Sequence, residues 1–283
     1  MSSPPPAFHF IFGLRDQTAP FHLAHWLALA SCVRLHPEAK VFLHLGNEPW
    51  GPWWDRRPAS IEIRRVSPVE WLEDHPAYYE HTEGRDIVGW DLGYAHHADL
   101  IRLEILRDEG GIYADIDTLF VKPFPASYAH HNFAIGEEDA TGYNDTRVVD
   151  RPLCNAMMSA RAGSAFATAW LERIAVVFDG SWSRHSCQEA ALLAAAMPAD
   201  VTVLGPEAHL SIPCTPDGLT DLFGRDVDLP EQALSIHWWE HVWWSPLRRD
   251  FIDFSQTDLT ENYVLHANTT FARLARPTLL DPP

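Results

Sequence analysis

Asp115 and Asp117 stand one residue apart at the end of the run Gly110-Gly111-Ile112-Tyr113-Ala114-Asp115-Ile116-Asp117. The run reads as a buried strand leaving the core. In an extended chain residues i and i+2 point the same way, so two carboxylates would face one spot. Like charges held that close are costly unless a cation or a shared proton relieves them. Carboxylate oxygens suit hard cations such as Mg²⁺ or Mn²⁺. The pair therefore makes a metal-dependent enzyme the leading reading. Upstream, Asp99 and Arg102 are three apart on a helical pattern and share a face near its start. An ordinary helical ion pair followed by an acidic turn would not require Gly-Gly, Tyr113 and both aspartates together.

Two Asp-x-Asp chemistries fit the pair. In a phosphatase, Asp115 would attack phosphorus and Asp117 would act as acid and base beside magnesium. That pattern resembles the haloacid dehalogenases, but here Leu119 holds the position after the second aspartate and its neighbour where the pattern has Thr or Val. The motif also comes a hundred residues into the chain rather than near its start. In a sugar transferase, the pair would hold Mn²⁺ or Mg²⁺ against the diphosphate of a nucleotide sugar, neutralising charge as the glycosidic bond breaks. A non-catalytic module that binds sugar nucleotides or carbohydrate is the reading from another class. Several other signatures are missing: there is no Gly-x-Gly-x-x-Gly, P-loop, His-Glu-x-x-His or Gly-x-Ser-x-Gly.

The run Ala98-Asp99-x-x-Arg102 with Gly110-Gly111-Ile112-Tyr113-Ala114-Asp115-Ile116-Asp117 resembles the sugar-binding DXD region of glycosyltransferase family 32. It is also similar to the catalytic domains of the large clostridial glucosylating toxins. The resemblance implies a GT-A fold and sugar transfer with retention of anomeric configuration. It implies that Asp99 and Arg102 contact the donor sugar and its phosphates, and that Tyr113 packs at the diphosphate. Asp115 would reach the ribose or sugar, with a share in the metal, while Asp117 binds the metal. Ile11, Phe12 and Gly13 resemble the end of the family's first strand, where an aromatic residue stacks on the base; Phe12 is equally readable as a buried strand residue. Tyr94, Ala98 and Ile116 complete the implied donor contacts. Asn155 resembles an asparagine near the donor sugar, which places it with Asp99, Arg102 and Asp115 among the catalytic candidates.

Farther along, Ser235-Ile236-His237-Trp238-Trp239-Glu240-His241-Val242-Trp243-Trp244 is similar to the family's C-terminal segment, which folds over the donor. His237 would be a further metal ligand and Trp243 a cover that excludes water. The pairs His96-His97 and His130-His131 lack ligand spacing. Gln188 and Glu189 head a helical pattern and could face the sugar, the acceptor or only the helix end.

These side chains need a scaffold. Phe8 to Phe12, residues 40–45 and residues 59–66 read as strands, and residues 20–35 as a helix with Leu23, Trp26, Leu27, Ala30 and Val33 as its buried stripe. Residues 95–109 form a second helix, with Gly110 and Gly111 ending it. A short helix at 68–73 and helices at 163–178 and 187–196 follow. Residues 46–58, 73–92 and 137–152 read as loops, and 198–236 as short strands with proline turns. The order predicts an α/β protein of GT-A type: an open, mostly parallel sheet flanked by helices, with an irregular C-terminal half. Such sheets bind ligands at the carboxyl ends of their strands. The organisation reads as a flexible tail over 1–7 and a single domain over 8–283, with a nucleotide-sugar half at 8–125 and an acceptor or lid half at 126–283.

The chain has 283 residues, 46% of them apolar, which suffices for a large core. Its net charge of −18 opposes binding to nucleic acid or anionic lipid but not the capture of one small anion by local cations or a metal. No apolar run approaches the roughly eighteen residues of a transmembrane helix. The start, Met-Ser-Ser-Pro-Pro-Pro, lacks the features of a signal peptide. Four scattered cysteines without a Cys-x-x-Cys pair predict a reduced, cytoplasmic protein. The expected partners are a UDP- or GDP-type sugar donor and a glycan, lipid-linked, small-molecule or protein acceptor.

Overall fold

The structure is a computed structural model that describes residues 6–72, 93–138, 148–247 and 251–283. The expected loop over 73–92, most of the loop over 137–152 and the first five residues of the tail lie outside the described residues.

Strand β1 (Phe8–Phe12) and strand β2 (Val41–Leu45) are nearly continuous apolar runs, as befits strands covered on both faces. They pair in parallel, and β3 (Ile61–Arg65) adds in parallel to β2. Between β1 and β2 runs helix α1 (Leu23–Leu35), ten of whose first residues in a row are buried. It starts at Leu23 rather than at Pro20, because the His22 imidazole accepts from the Ala24 amide at 3.1 Å and caps it there. The stretch expected as a loop after β2 contains one short helix, α2 (Pro52–Asp55).

Helix α3 (Gly93–Asp108) carries Asp99 and Arg102 and ends at Gly110 and Gly111, both at positive φ (71° and 99°). A side chain at Gly111 would place its Cβ 2.6 Å from the Ala7 carbonyl oxygen. The glycine pair thus lets the chain turn sharply from helix into strand β4 (Gly111–Ala114) and slip in beside β1. On the other side of β4 lies β7 (Leu153–Ala160), antiparallel, with Ala114 opposite Met157. Strands β6 (Phe133–Glu137) and β8 (Thr202–Leu204) complete a seven-stranded sheet in the order β3-β2-β1-β4-β7-β6-β8. Only β7 runs against the others, so the sheet is mostly parallel. A separate antiparallel pair joins β5 (Thr118–Phe120) to β9 (Ser235–His237), with Thr118 opposite His237.

Helices cover both faces of the sheet. One core gathers Phe8 and Phe10 with α1 and α8 (Thr270–Leu280); the other gathers Ile11, Tyr113 and Met158 with α3 and α4 (Ala165–Val177). Helix α5 (Glu189–Ala196) follows a π-helical turn at Arg184–Gln188. The region over 198–236, expected to alternate short strands and turns, holds β8 and the start of β9 but also helix α6 (Pro216–Phe223), capped by Thr215, whose hydroxyl accepts from Gly218 at 3.0 Å. Helix α7 (Glu261–His266) precedes α8. No helix among the described residues is long and apolar enough to cross a membrane.

Several histidines are buried without charge. His9 and His44 meet across β1 and β2, Nδ1 to Nε2, at 3.0 Å, and burial lowers the pKa of each from 6.5 to about 4. His209, held between the Tyr128 hydroxyl and Ser235, is lowered to about 3 by burial. The unfolded chain takes up protons near pH 6.5 that the fold refuses, so the stability these groups confer is complete above that pH and is lost as pH falls towards their folded values. At pH 5 the loss is about 2 kcal/mol for each fully neutral histidine. The thermal midpoint is therefore expected to fall steeply between pH 7 and pH 5; scanning calorimetry across that range checks it.

Candidate active site

At the carboxyl ends of β1 and β4 the structure opens a cavity of about 810 Å³. This is where an open α/β sheet places its ligands, and the volume is that of a cofactor-sized site. Ile11, Phe12 and Gly13 line it from the end of β1; Tyr94, Ala98, Asp99 and Arg102 line it from α3. Tyr113, Asp115, Ile116 and Asp117 enter from β4 and the turn after it, Asn155 from β7 and His237 from β9. Every sequence-selected candidate except Trp243, Gln188 and Glu189 is therefore brought to one cavity.

Arg102 organises the wall that α3, β4 and β7 give the cavity. Its guanidinium lies 3.2 Å from Asp99 and 3.2 Å from Asp115, donates to the Asn155 carbonyl at 2.8 Å, and sits over the Tyr113 ring at 4.7 Å. Asn155 Nδ2 donates to Asp99 Oδ1 at 2.7 Å, and the Tyr113 hydroxyl donates to Asp115 Oδ1 at 2.5 Å. Burial pushes the Asp115 carboxyl up, and Asp117 adds to that against the opposing pull of Arg102. Burial also opposes charge on Asp99, but Arg102 and the His185 hydrogen bond outweigh it and hold its carboxyl below the usual range.

Asp115 and Asp117 converge, although the chain is not extended between them. Residues 115–117 form a turn linking β4 to β5. The turn is set by the Asp115 amide, which bonds Ala156 O at 2.8 Å, and by the pairing of Thr118 with His237. That pairing delivers His237 across 120 positions of sequence, and its Nε2 lies 2.9 Å from Asp117 Oδ1. The second Asp117 oxygen accepts from the Glu240 amide at 2.9 Å. Trp239, at φ 54°, is the one non-glycine residue at positive φ among the described residues. This unfavourable backbone turns the chain so that the Glu240 amide reaches Asp117.

The donor set fits a divalent cation. Asp115, Asp117 and His237 each offer one ligand atom, all within 4.8 Å of one another. Burial resists the charge on Asp117, yet His237 and the Glu240 amide prevail and bring its pKa down to about 2. His237 is the converse: burial opposes its protonation, but Asp117 and Asp115 raise its pKa above 6.5. A metal competes with that proton. Mn²⁺ binding is thus expected to release a proton from His237 and to weaken as pH falls below the raised pKa. Calorimetry at pH 6.5 in buffers of different ionisation enthalpy checks this; His237→Ala should abolish the release.

Trp243 departs from the expectation. It is fully buried, its ring 4.6 Å from Phe223 and 5.6 Å from Phe254, and its Nε1 donates to Trp238 O at 2.5 Å. The short 3₁₀ turn Glu240–Val242 sends residue 243 into the core and residue 244 to the cavity. Trp244 lines the cavity, stacked on His25 at 5.0 Å. Gln188 and Glu189 also face away from the cavity. Gln188 binds the Val148 amide and Ser183, and Glu189 bridges Arg173 and Arg184. Phe12 is half-buried and lines the cavity, its ring 5.0 Å from Phe21 and from His25. Sequence reasoning passed over Arg15, which lies 4.4 Å over the Tyr94 ring, and over Trp182, Cys187 and Glu240, which also line the cavity. Arg15 lies two residues beyond Gly13 of the first-strand motif, the one signal that could have found it.

The fold is of the GT-A type. Residues 25–134 match the family described as a glycosyltransferase sugar-binding region containing the DXD motif, so this chain carries that region. The chain is 27% identical to glucan organizing enzyme 1 of Cryptococcus neoformans var. grubii, over 72% of this chain and 53% of that protein. It is 36% identical to toxin Afp18 of Yersinia ruckeri over 25% of this chain and 3% of the toxin. The chain thus spans about half the length of the first relative and a small part of the second. Among solved structures, the bifunctional glycosyltransferase WbbM superposes with a TM-score of 0.52 at 10% identity, covering 99% of this chain and 50% of that one. That likeness supports the fold.

Proposed function

We propose that the protein transfers a sugar from a nucleotide-diphosphate donor to an acceptor hydroxyl, with retention of configuration and with Mn²⁺ or Mg²⁺ as cofactor. The observation that carries this reading is the convergence of Asp115, Asp117 and His237 on one spot beside the Asp99–Arg102–Asn155 group, all in one cavity. Asp117 and His237, with Asp115, would hold the metal, which neutralises the leaving diphosphate. Asp99 and Asn155 offer fixed polar atoms for the sugar hydroxyls, and Arg102 keeps both in register. Arg15 and Tyr94 stand where the nucleotide would lie, with Phe12 beside them. Trp239 and Trp244 supply apolar walls that limit water. In the reaction the anomeric carbon leaves the diphosphate oxygen and bonds the acceptor oxygen, and the acceptor proton passes to the departing diphosphate. The free thiols of all four cysteines fit a reducing compartment, which supports a cytoplasmic location. A glycan, lipid-linked sugar, small metabolite or protein could each supply the hydroxyl.

The test is incubation with Mn²⁺ and a panel of UDP- and GDP-sugars, with release of nucleoside diphosphate and free sugar followed by chromatography. The expected result is metal-dependent release from one donor, with the α or β configuration of the initial product matching the donor. Absence of release from every donor, together with phosphate release from simple phosphate esters, would refute it.

A further inference from the structure

Behind the cavity wall, Asp99 has a partner that the proposed chemistry does not use. His185 Nε2 lies 3.0 Å from Asp99 Oδ2. His185 is 0% exposed and does not line the cavity, whereas its neighbours Ser186 and Cys187 do. The π-helical turn Arg184–Gln188 produces this split, and the Trp170 indole locks it by donating to His185 O at 3.0 Å. Such turns are rare and recur at functional sites. The imidazole is wedged between Phe178 and His96, each with ring centroids 4.8 Å away.

The hydrogen-bond inventory selects one form of the ring. Asp99, ionised beside Arg102, can only accept, so Nε2 must carry the proton. His185 Nδ1 has no partner. A proton on it would be a buried, unmade donor, which costs about 1–3 kcal/mol, whereas a bare lone pair costs less. The neutral Nε2–H tautomer follows. With it, all three groups around Asp99 are donors: Arg102 and Asn155 on Oδ1 and His185 on Oδ2. The carboxylate cannot rotate without breaking one of them.

We infer that His185 is a positioning residue that locks the Asp99 carboxylate, so that its remaining lone pairs are aimed into the donor cavity. His96, Asp99 and His185 also present ligand atoms within 4.8 Å of one another, as metal sites do. Asp99 already accepts from three donors, and His185 Nε2 spends its hydrogen on one of those bonds, which leaves no free ligand pair there for a cation. The cluster therefore orients a side chain rather than binding an ion. This inference rests on the proposed sugar transfer for its catalytic consequence but not for its geometry.

The test has two arms. In the first, the nitrogen-15 NMR spectrum of the histidine rings should show His185 with Nε2 protonated and Nδ1 bare, and Asp99→Asn should shift the Nε2 signal. The opposite tautomer, or a signal indifferent to Asp99→Asn, overturns the inference whether or not the protein transfers sugar. In the second arm, His185→Phe is compared with His185→Gln, which keeps an N–H near the Nε2 position. His185→Phe should lower kcat/KM for the nucleotide sugar by about 10²-fold, the scale of a displaced catalytic group, while leaving affinity for the sugar-free nucleoside diphosphate within about threefold. His185→Gln should recover most of the loss. A His185→Phe variant with wild-type kcat/KM, or losses that track the melting temperature and are not rescued by Gln, would overturn it. If the wild-type protein turns over no donor, the proposed function fails and the first arm still decides the geometry.

Discussion

Asp117→Ala is expected to lower metal-dependent donor turnover by about 10³-fold or more, a transition-state loss of about 4 kcal/mol. The size follows from how many contacts end on one carboxylate. Asp117 receives the His237 imidazole on one oxygen and the Glu240 amide on the other, and it shares the metal-type cluster with Asp115. Removing it takes away a ligand, frees His237 from the partner that raises its pKa, and leaves the left-handed Trp239 turn without the contact it serves. Asp117→Asn keeps the shape and loses the charge. It should be nearly as inactive as Asp117→Ala but better folded. Steady-state release of nucleoside diphosphate at saturating Mn²⁺, beside melting curves for both variants, checks the pair of expectations.

Arg102→Ala should produce the largest loss of stability among single changes in the site, about 3–5 kcal/mol, the usual cost of stranding a buried charge. Arg102 is 5% exposed and is paired with Asp99 and Asp115. Its removal leaves the Asp99 and Asp115 carboxylates without the cation they share, and both would then resist ionisation. The sign of the pH effect follows. Carboxylates whose folded pKa rises above the unfolded value destabilise the fold as pH rises, so the deficit against the wild type should be larger at pH 8 than at pH 5. Arg102→Lys keeps a charge but offers a single point in place of a planar fork, and it cannot serve Asp99, Asp115 and the Asn155 carbonyl together. It should regain part of the stability and little of the turnover. Melting midpoints of the three proteins at the two pH values test this.

Much of this arrangement is legible in the sequence where a local rule and the tertiary structure agree. Phe8–Phe12 and Val41–Leu45 are apolar throughout because both faces of a central parallel strand are covered. The helix ahead of the aspartates ends where Gly110 and Gly111 supply positive φ. Asp99 and Arg102 meet because three residues bring side chains onto one helix face, as found at 3.2 Å. Asp115 and Asp117 meet for a different reason from the one their spacing suggests. A turn held by β7 and β9 folds them together, and no alternation of side chains along a strand is involved.

The remainder depends on contacts that a local pattern does not encode. Trp243 and Trp244 are chemically alike, and which of them reaches the cavity is decided by a three-residue turn seated on Asp117. His185 sits in a π-helical turn, a register that carries no periodic signal, and its partner Asp99 lies 86 positions away. His96 shows no ligand spacing in sequence because its neighbour in space comes from that same distant turn. Helix α6 is the exception, since Thr215-Pro216-Asp217 is a cap followed by a first-turn proline and was readable as a helix start.

The central claim is that Asp117 and His237, with Asp115, hold a divalent cation that in turn holds the donor. Electron paramagnetic resonance of Mn²⁺ titrated into the wild-type protein and Asp117→Ala, each with and without UDP- and GDP-sugars, tests it most directly. The account predicts that free-Mn²⁺ signal is depleted by the wild type, that one nucleotide sugar tightens the binding, and that Asp117→Ala loses both effects. Equal Mn²⁺ binding by Asp117→Ala, or nucleotide-sugar binding that is just as tight in excess EDTA, would contradict it.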